Sequence, residues 1–406
     1  MSVPKLRFKE FDGDLTESKL VDSTSWASGG TPAKDIPEYW GDNIPLISGA
    51  SMHTNQLYES NVKITKLGLQ KGSTLAPKDS ILILVRGSML FNKIPMGITL
   101  GDVAFNQDVK CIRPKQELAP LFLFQWLHAK ENTIQNKVTA TGIGAGKLDT
   151  ADLQNLKLYK PSSEEQTKIA SFLSTVDEKI SQLTQKHELL SQYKQGMMQK
   201  LFSQQLRFKA DDGSEFGAWK HCKLKDVLIS YRLGGNYSNA EMVTSYPLIK
   251  MGNLGRGSIN LDKIEYIPED QIIDPKDLIK KNDLFFNTRN TLDLVGKVAL
   301  WRGELPIAYY NSNLLRLDFE NNIFMNYLFN EQKTLEKLKA IASGTTSVAA
   351  IYTKDLLKIN LEIPCLEEQN KIASFLSSID QKIEVVAQQI EQAKTWKKGL
   401  LQQMFV

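Results

Sequence analysis

EEQTKIASFLSTVDEKISQLTQKHELLSQYKQGMMQKLFS occupies residues 164–203, and EEQNKIASFLSSIDQKIEVVAQQIEQAKTWKKGLLQQMFV occupies residues 367–406. The offset is 203 residues, half of the 406-residue chain, and 19 of the 40 aligned residues are identical without a gap. Chance similarity between two unrelated helices does not reach that level. The chain is a tandem duplication.

Each copy carries a heptad seam. In the second, Ile372, Leu376, Ile379, Ile383, Val386, Ile390, Ala393, Lys397, Leu400 and Met404 alternate steps of four and three, which keeps one stripe on one side of a helix. In the first, Ile169, Leu173, Val176, Ile180, Leu183, His187, Leu190, Lys194, Met197 and Leu201 take the same steps. Lys194 and Lys397 are equivalent polar interruptions, and His187 reads as a packed histidine on the seam. At ~1.5 Å per residue each helix is about 60 Å long, and an apolar seam of that length needs a partner. The other copy is the natural one. Parallel pairing would force the intervening residues to leave one end and return about 60 Å away, whereas domain termini usually lie close together. The expectation is therefore an antiparallel two-helix rod with approximate two-fold symmetry, holding two mixed α/β domains apart in an α+β dumbbell. The divisions expected are a domain at 1–160, a spacer helix at 161–203, a domain at 204–363 and a second spacer helix at 364–406.

Bulk properties bound the function classes. Apolar runs such as Ile81–Val85 and Leu121–Phe124 fall far short of the ~20 residues of a membrane span, and the charged start MSVPKLRFKEFDGD lacks the apolar core of a signal peptide. A cytoplasmic protein is expected. Cys111, Cys222 and Cys365 are odd in number, widely spaced and without a CxxC pair, so neither a disulfide framework nor a metal site is indicated. A net charge of +4 is only mildly basic. Any nucleic-acid face must come from local clustering.

The repeat extends beyond the helices. Leu6-Arg7-Phe8-Lys9 with Asp12-Gly13 returns as Leu206-Arg207-Phe208-Lys209 with Asp212-Gly213. Gly29-Gly30-Thr31-Pro32 is answered by Gly234-Gly235-Asn236-Tyr237, a turn signal, and Pro45-Leu46-Ile47 by Pro247-Leu248-Ile249. Strand-like runs open at Asp79 and Asp283 and lead to Arg86-Gly87 and Arg289-Asn290; FNQDV at 105–109 matches YNSNL at 310–314. One helical pattern follows in each half, over 120–138 and 323–342, and then a short element opened by Asp152-Leu153 or Asp355-Leu356 and closed by Pro161 or Pro364. Between these landmarks the surface residues diverge, as expected of two modules on one framework that grip different things.

No catalytic constellation can be assembled. TGIGAGKL at 141–148 looks like a phosphate loop but has Thr141 where glycine belongs and Leu148 where a hydroxyl should hold magnesium, so it reads as a flexible glycine loop whose Lys147 could touch a phosphate. The D-x-K pairs at 177–179 and 380–382 lie on the rod helices, where residues two apart face different ways, and read as structural charge. His53, His128, His187 and His221 are scattered. Recognition remains. Asn253, Arg256, Asn287, Thr288, Arg289, Asn290, Arg302, Asn311, Ser312 and Asn313 in the second domain are types that read base edges or hold phosphates, as are Ser48, Arg86, Lys93, Asn106, Gln107, Lys110 and Arg113 in the first. Each is also a common turn former or solvated side chain. Arg86 and Arg289 stand out because both follow a strand-like run into a loop.

The arrangement resembles the specificity (S) subunit, HsdS, of type I restriction-modification systems: an LRF opening, a target-recognition domain, a P-x-x-E-E-Q-x-K-I-A-x-F-L helix at Pro161–Leu173, and the same again to Pro364–Leu376. GGTP and FNQDV fit that family as well, while GGNY and YNSNL depart from its usual wording. The resemblance implies a non-catalytic DNA-binding subunit whose rod docks two modification (methyltransferase) subunits, with each domain reading one half of a bipartite double-stranded DNA site and the rod setting the unread spacer. It implies no cofactor in this chain, S-adenosylmethionine, ATP and Mg belonging to the partner methyltransferase and restriction/translocase subunits, and no membrane. The rod interface expected comprises Ile169, Leu173, Val176, Ile180, Leu183, Leu190, Ile372, Leu376, Ile379, Ile383, Val386 and Ile390. Two other classes stand beside it: a fused single-chain restriction-methylation enzyme, against which the missing catalytic motifs count, and a coiled-coil scaffold that joins proteins without reading DNA.

Overall fold

The computed structural model describes residues 3–115, 117–142, 144–345 and 348–406. Two compact units emerge, Met1–Gln185 with Ala387–Val406, and Lys186–Val386. Two long helices, Ser163–Phe202 and Leu366–Met404, each give one half to either unit.

Within the first unit the start of the first long helix (Ile169, Leu173, Val176) shares a core with the end of the second (Leu400, Met404). In the second unit Leu201 and Phe202 share a core with Ile372, Leu376 and Ile379. Starts meet ends in both, so the pairing is antiparallel, as the connection argument requires. Ile169, Leu173, Val176, Leu183, Ile372, Leu376, Ile379, Val386 and Ile390 are buried, and Ile180, Leu190 and Ile383 are half-buried. Burying each such side chain contributes about 1.5–3 kcal/mol. The polar interruptions have partners: Lys397 donates to Asp177 at 2.6 Å in the first unit, and Lys194 lies 2.5 Å from Asp380 in the second. The aspartates of the D-x-K pairs are thus structural charge, as read from the sequence, and half-buried on the seam. Each also takes a group from its domain's helix, Gln125 Nε2 at 2.9 Å on Asp177 and the Tyr327 hydroxyl at 2.7 Å on Asp380. One carboxylate ties three elements together.

The LRF and EEQ motifs turn out to be one device. Arg7 grips Glu165 with Nε and Nη2, both at 2.7 Å, and Arg207 grips Glu368 at 3.1 and 2.7 Å. Both carboxylates are buried, so the two-pronged guanidinium is needed to hold their charge. The next residue closes the helix start: Gln166 and Gln369 donate to the carbonyls of Pro161 and Pro364, each at 3.0 Å. Helix ends are anchored alike, Phe405 against Phe122 with ring centres 5.4 Å apart and Phe202 against Phe324 at 5.8 Å. The Leu6 amide bonds to Gln403 O at 2.9 Å, and the Leu206 amide to Lys200 O at 3.1 Å.

Each domain is built on two main sheets. In the first unit Ile81–Leu84 lies at the centre of a five-stranded sheet, flanked by Val109–Pro114 and Met96–Thr99. Its continuous apolar run reflects burial on both faces, all four side chains being at most 2% exposed. A second sheet pairs Trp40–Ile47 in parallel with Val103–Phe105. The second unit repeats this with Leu284–Asn287 flanked by Leu314–Asp318 and Val298–Leu300, and Pro247–Ile249 parallel to Tyr309–Tyr310. The double glycines are close approaches rather than simple turns. A Cβ on Gly29 would lie 2.2 Å from the Phe105 carbonyl, and one on Gly234 2.2 Å from that of Tyr310.

The single helical pattern expected in each half breaks in two: Pro120–Ala129 and Glu131–Gln135 in the first, Asn322–Phe329 and Gln332–Ala340 in the second. In the second case Glu331 caps the new helix, accepting from the Lys333 and Thr334 amides. The short closing element is a helical turn followed by a strand, Lys157–Lys160 or Asn360–Ile363. Among the described residues no helix is long and apolar enough to cross a membrane, and no cluster of three His, Cys, Asp or Glu is arranged for a metal ion.

One loop in the second unit is held by ionisable groups. The Tyr237 hydroxyl donates to buried Asp277 at 2.6 Å, and Arg232 bonds to Asp277 and Asp274. Burial and the Asp277 carboxylate push the Tyr237 phenol up to about 12. Because the folded value lies above the usual ~10, the stabilisation is complete below pH ~10 and is lost as pH rises from there towards 12. Burial also raises Tyr310 and Tyr327, so an absorbance titration at 295 nm is expected to show one late-ionising tyrosine fewer in Tyr237→Phe than in wild type; loss of a tyrosine that ionises near pH 10 instead would sink the clamp.

Candidate nucleic-acid interface

The carboxyl ends of three strands converge in each domain. In the first, Ser48 follows Trp40–Ile47, Arg86 follows Ile81–Leu84, and Asn106-Gln107 follows Val103–Phe105. The Asn106 amide bonds to Ile47 O at 3.0 Å and the Val85 amide to Asp108 O at 2.8 Å, which sets the three segments side by side. Arg86 also pairs across strands with Lys147 of the hairpin formed by Thr139–Ala140 and Gly146–Lys147, so two exposed cations stand together. That hairpin is the glycine loop of the sequence; its Ile143 lies outside the described residues. A cleft of about 610 Å³ opens beside Ser48 and Gln107.

The second domain repeats the layout. The Asn311 amide bonds to Ile249 O at 3.2 Å, and the Thr288 amide to Asn313 O at 3.3 Å. Lys250, Arg289, Ser312 and Asn313 therefore come together, with Thr288 and Asn290 beside Arg289. Ala350 stands opposite Arg289 where the first domain has Lys147.

Several residues read as DNA contacts serve the scaffold instead. Asn287 is fully buried, and its side chain accepts from the Arg289 amide. Asn311 is buried and holds a turn through the Asn313 amide at 3.2 Å, and Asn106 makes the same bond to the Asp108 amide at 3.2 Å. Asn253 is buried and bonds to the Asn260 and Lys263 carbonyls. Arg302 turns to the rod and bonds to Asp380 at 2.9 Å. Arg113 lies three residues along its strand from Lys110, about 10 Å from the converging ends. Lys110 donates to Ser28 at 2.6 Å, Arg256 to Asp293 O at 3.1 Å, and Lys93 stays exposed after the turn Ser88–Phe91. The buried Asn253, Asn287 and Asn311 and the rod-bound Arg302 cannot reach a base edge without breaking these bonds.

Sequence reasoning missed Lys250, Glu265, Thr31, Lys34 and Trp40. Lys250 had a signal: it follows Pro247-Leu248-Ile249 as Ser48 follows Pro45-Leu46-Ile47. The other four become neighbours of the site only through tertiary pairing.

One strand-edge site thus stands in each half of a repeated frame. Residues 14–192 and 217–395 each match the type I restriction modification DNA specificity domain, and the chain belongs to that family. It is 26% identical over 411 residues to the type I restriction enzyme MjaVIII specificity subunit of Methanocaldococcus jannaschii, covering 97% of this chain and 94% of that one. It is 29% identical over 182 residues to the EcoR124I/EcoR124II specificity subunit of Escherichia coli, covering 44% and 45%. The crystal structure of a type I restriction-modification system S subunit from M. genitalium has the same fold, with a TM-score of 0.61 at 15% identity over 100% of this chain and 99% of that one.

Proposed function

We propose that this chain is the DNA-specificity subunit of a cytoplasmic type I restriction-modification complex, with residues 1–160 and 204–363 as its target-recognition domains and 161–203 and 364–406 as its spacer helices. Each domain reads one half of a bipartite site, and the helices dock two methyltransferase subunits. S-adenosylmethionine, ATP and Mg chemistry belongs to those subunits and to the restriction subunits. One observation carries this reading: the same strand-edge site occurs twice, with the arginine kept (Arg86, Arg289) and its neighbours changed (Ser48 to Lys250, Gln107 to Ser312). A kept cation suits phosphate, which is alike in every sequence, and changed neighbours suit bases, which are not.

Co-expression with the methyltransferase partner and mapping of methylated adenines by single-molecule sequencing is expected to give a bipartite motif with a fixed gap. Arg86→Ala or Arg289→Ala in the assembled complex is expected to weaken DNA binding whatever the base sequence and to lower the salt slope by about one. Unchanged binding in both would favour the scaffold.

A further inference from the structure

On the reading just given, the two strand-edge sites differ in a way that specifies base pairs. In the first domain the cleft has an apolar floor of Trp40, Leu46 and Val62, with Gln107 on its rim. Thr31 Oγ1 donates to Gln107 Oε1 at 2.8 Å, which fixes the amide and leaves the second lone pair of Oε1 and the Nε2 hydrogens for a ligand. An amide so presented matches the N6 donor and N7 acceptor of adenine, and an apolar floor matches the thymine methyl on the same pair. Val62 is 47% exposed, so its methyl groups are open to contact.

The equivalent place in the second domain has the opposite chemistry. Val62 lies across from Leu46, its carbonyl accepting from the Leu46 amide, and Glu265 lies across from Leu248. Ser48 and Lys250 each sit two residues further on, the spacing that returns a strand side chain to the same face. Lys250 donates there to both Glu265 and Asn239, which leaves one ammonium hydrogen for a ligand. The remaining ammonium hydrogen suits the N7 acceptor of guanine, and the free lone pairs of the Glu265 carboxylate accept from the N4 amino group of cytosine.

We propose that this single structural position reads an A·T pair in the first domain, through Gln107 and the Val62 floor, and a G·C pair in the second, through Lys250 and Glu265. Thr31 is a positioning residue for Gln107.

The test uses the complex with its methyltransferase subunits on a duplex carrying the mapped site, each half-site assigned by exchanging one domain. Thymines of the first half-site are replaced one at a time by deoxyuridine, which removes only the methyl, and adenines by 7-deazaadenine, which removes N7. One thymine replacement is expected to weaken binding about fourfold, and the deaza replacement of its paired adenine by tenfold or more. The first effect should vanish in Val62→Ala and the second in Gln107→Ala. In the second half-site one 7-deazaguanine is expected to weaken wild type but not Lys250→Met. Val62 and Gln107 are exposed, so truncation leaves the core intact, and co-purification with the methyltransferase verifies assembly. A first half-site without such a thymine, or sensitivities that persist in the variants, would overturn the assignment while leaving the bipartite reader standing. Absence of any methyl mark from an assembled complex would overturn the reader and this assignment with it.

Discussion

Glu368→Ala is expected to destabilise the second unit by about 3 kcal/mol, because it leaves the half-buried Arg207 guanidinium with only the Gly217 carbonyl as partner. Glu368 is fully buried, Arg207 meets it with two nitrogens, and the Trp219 indole donates to it at 3.2 Å, so one substitution orphans three donors. Two-state behaviour does not extend across two units, so the measurement is a calorimetric scan with separate transitions. The expected outcome is a large fall of one transition only, mirrored in the other by Glu165→Ala. Joint replacement by Arg207→Met and Glu368→Met should recover most of the loss, since apolar side chains of similar length remove both charges together. An unshifted transition in Glu368→Ala would show that the pair carries no net stability.

Ile379→Asp is the second large effect. Its side chain is 3% exposed in the apolar core shared by the two helices and the second domain. Loss of burial and the trapped charge together exceed about 4 kcal/mol, enough to unfold a typical domain in part. Circular dichroism is expected to show partial loss of helix at room temperature, and the methyltransferase should no longer co-purify. Ile383→Asp should cost less because Ile383 is only half-buried. Equal behaviour of the two variants would mean that burial along the seam does not set stability.

Much of the frame was legible because duplication supplies its own comparison. The helices, their antiparallel pairing and the family resemblance followed from the repeat, whereas links across the fold did not. Arg7 and Glu165 are 158 residues apart, and nothing in either motif announces that they meet. Lys194 and Lys397 read as defects in a heptad because their aspartates lie on the opposite helix. Asn253, Asn287, Asn311 and Arg302 turned out to serve the scaffold for a related reason: Asn, Thr and Arg suit base edges, but they suit turns equally, and type alone does not decide. Position-by-position comparison of the copies would have helped. Asn106 and Asn311 are identical and hold the same turn, whereas Ser48 against Lys250 and Gln107 against Ser312 differ where the site is open.

The bond from the Leu6 amide to Gln403 O repeats the one from Leu206 to Lys200 O, although the latter spans a continuous stretch of chain and the former joins segments near opposite ends of it. The first unit also borrows its second helical segment from residues 387–406, just as the second borrows 186–202 from the first copy. Backbone order and spatial order are thus independent here. A half-length polypeptide with this sequence plan could complete itself by reciprocal exchange of helix ends with a twin, the arrangement of a domain-swapped homodimer.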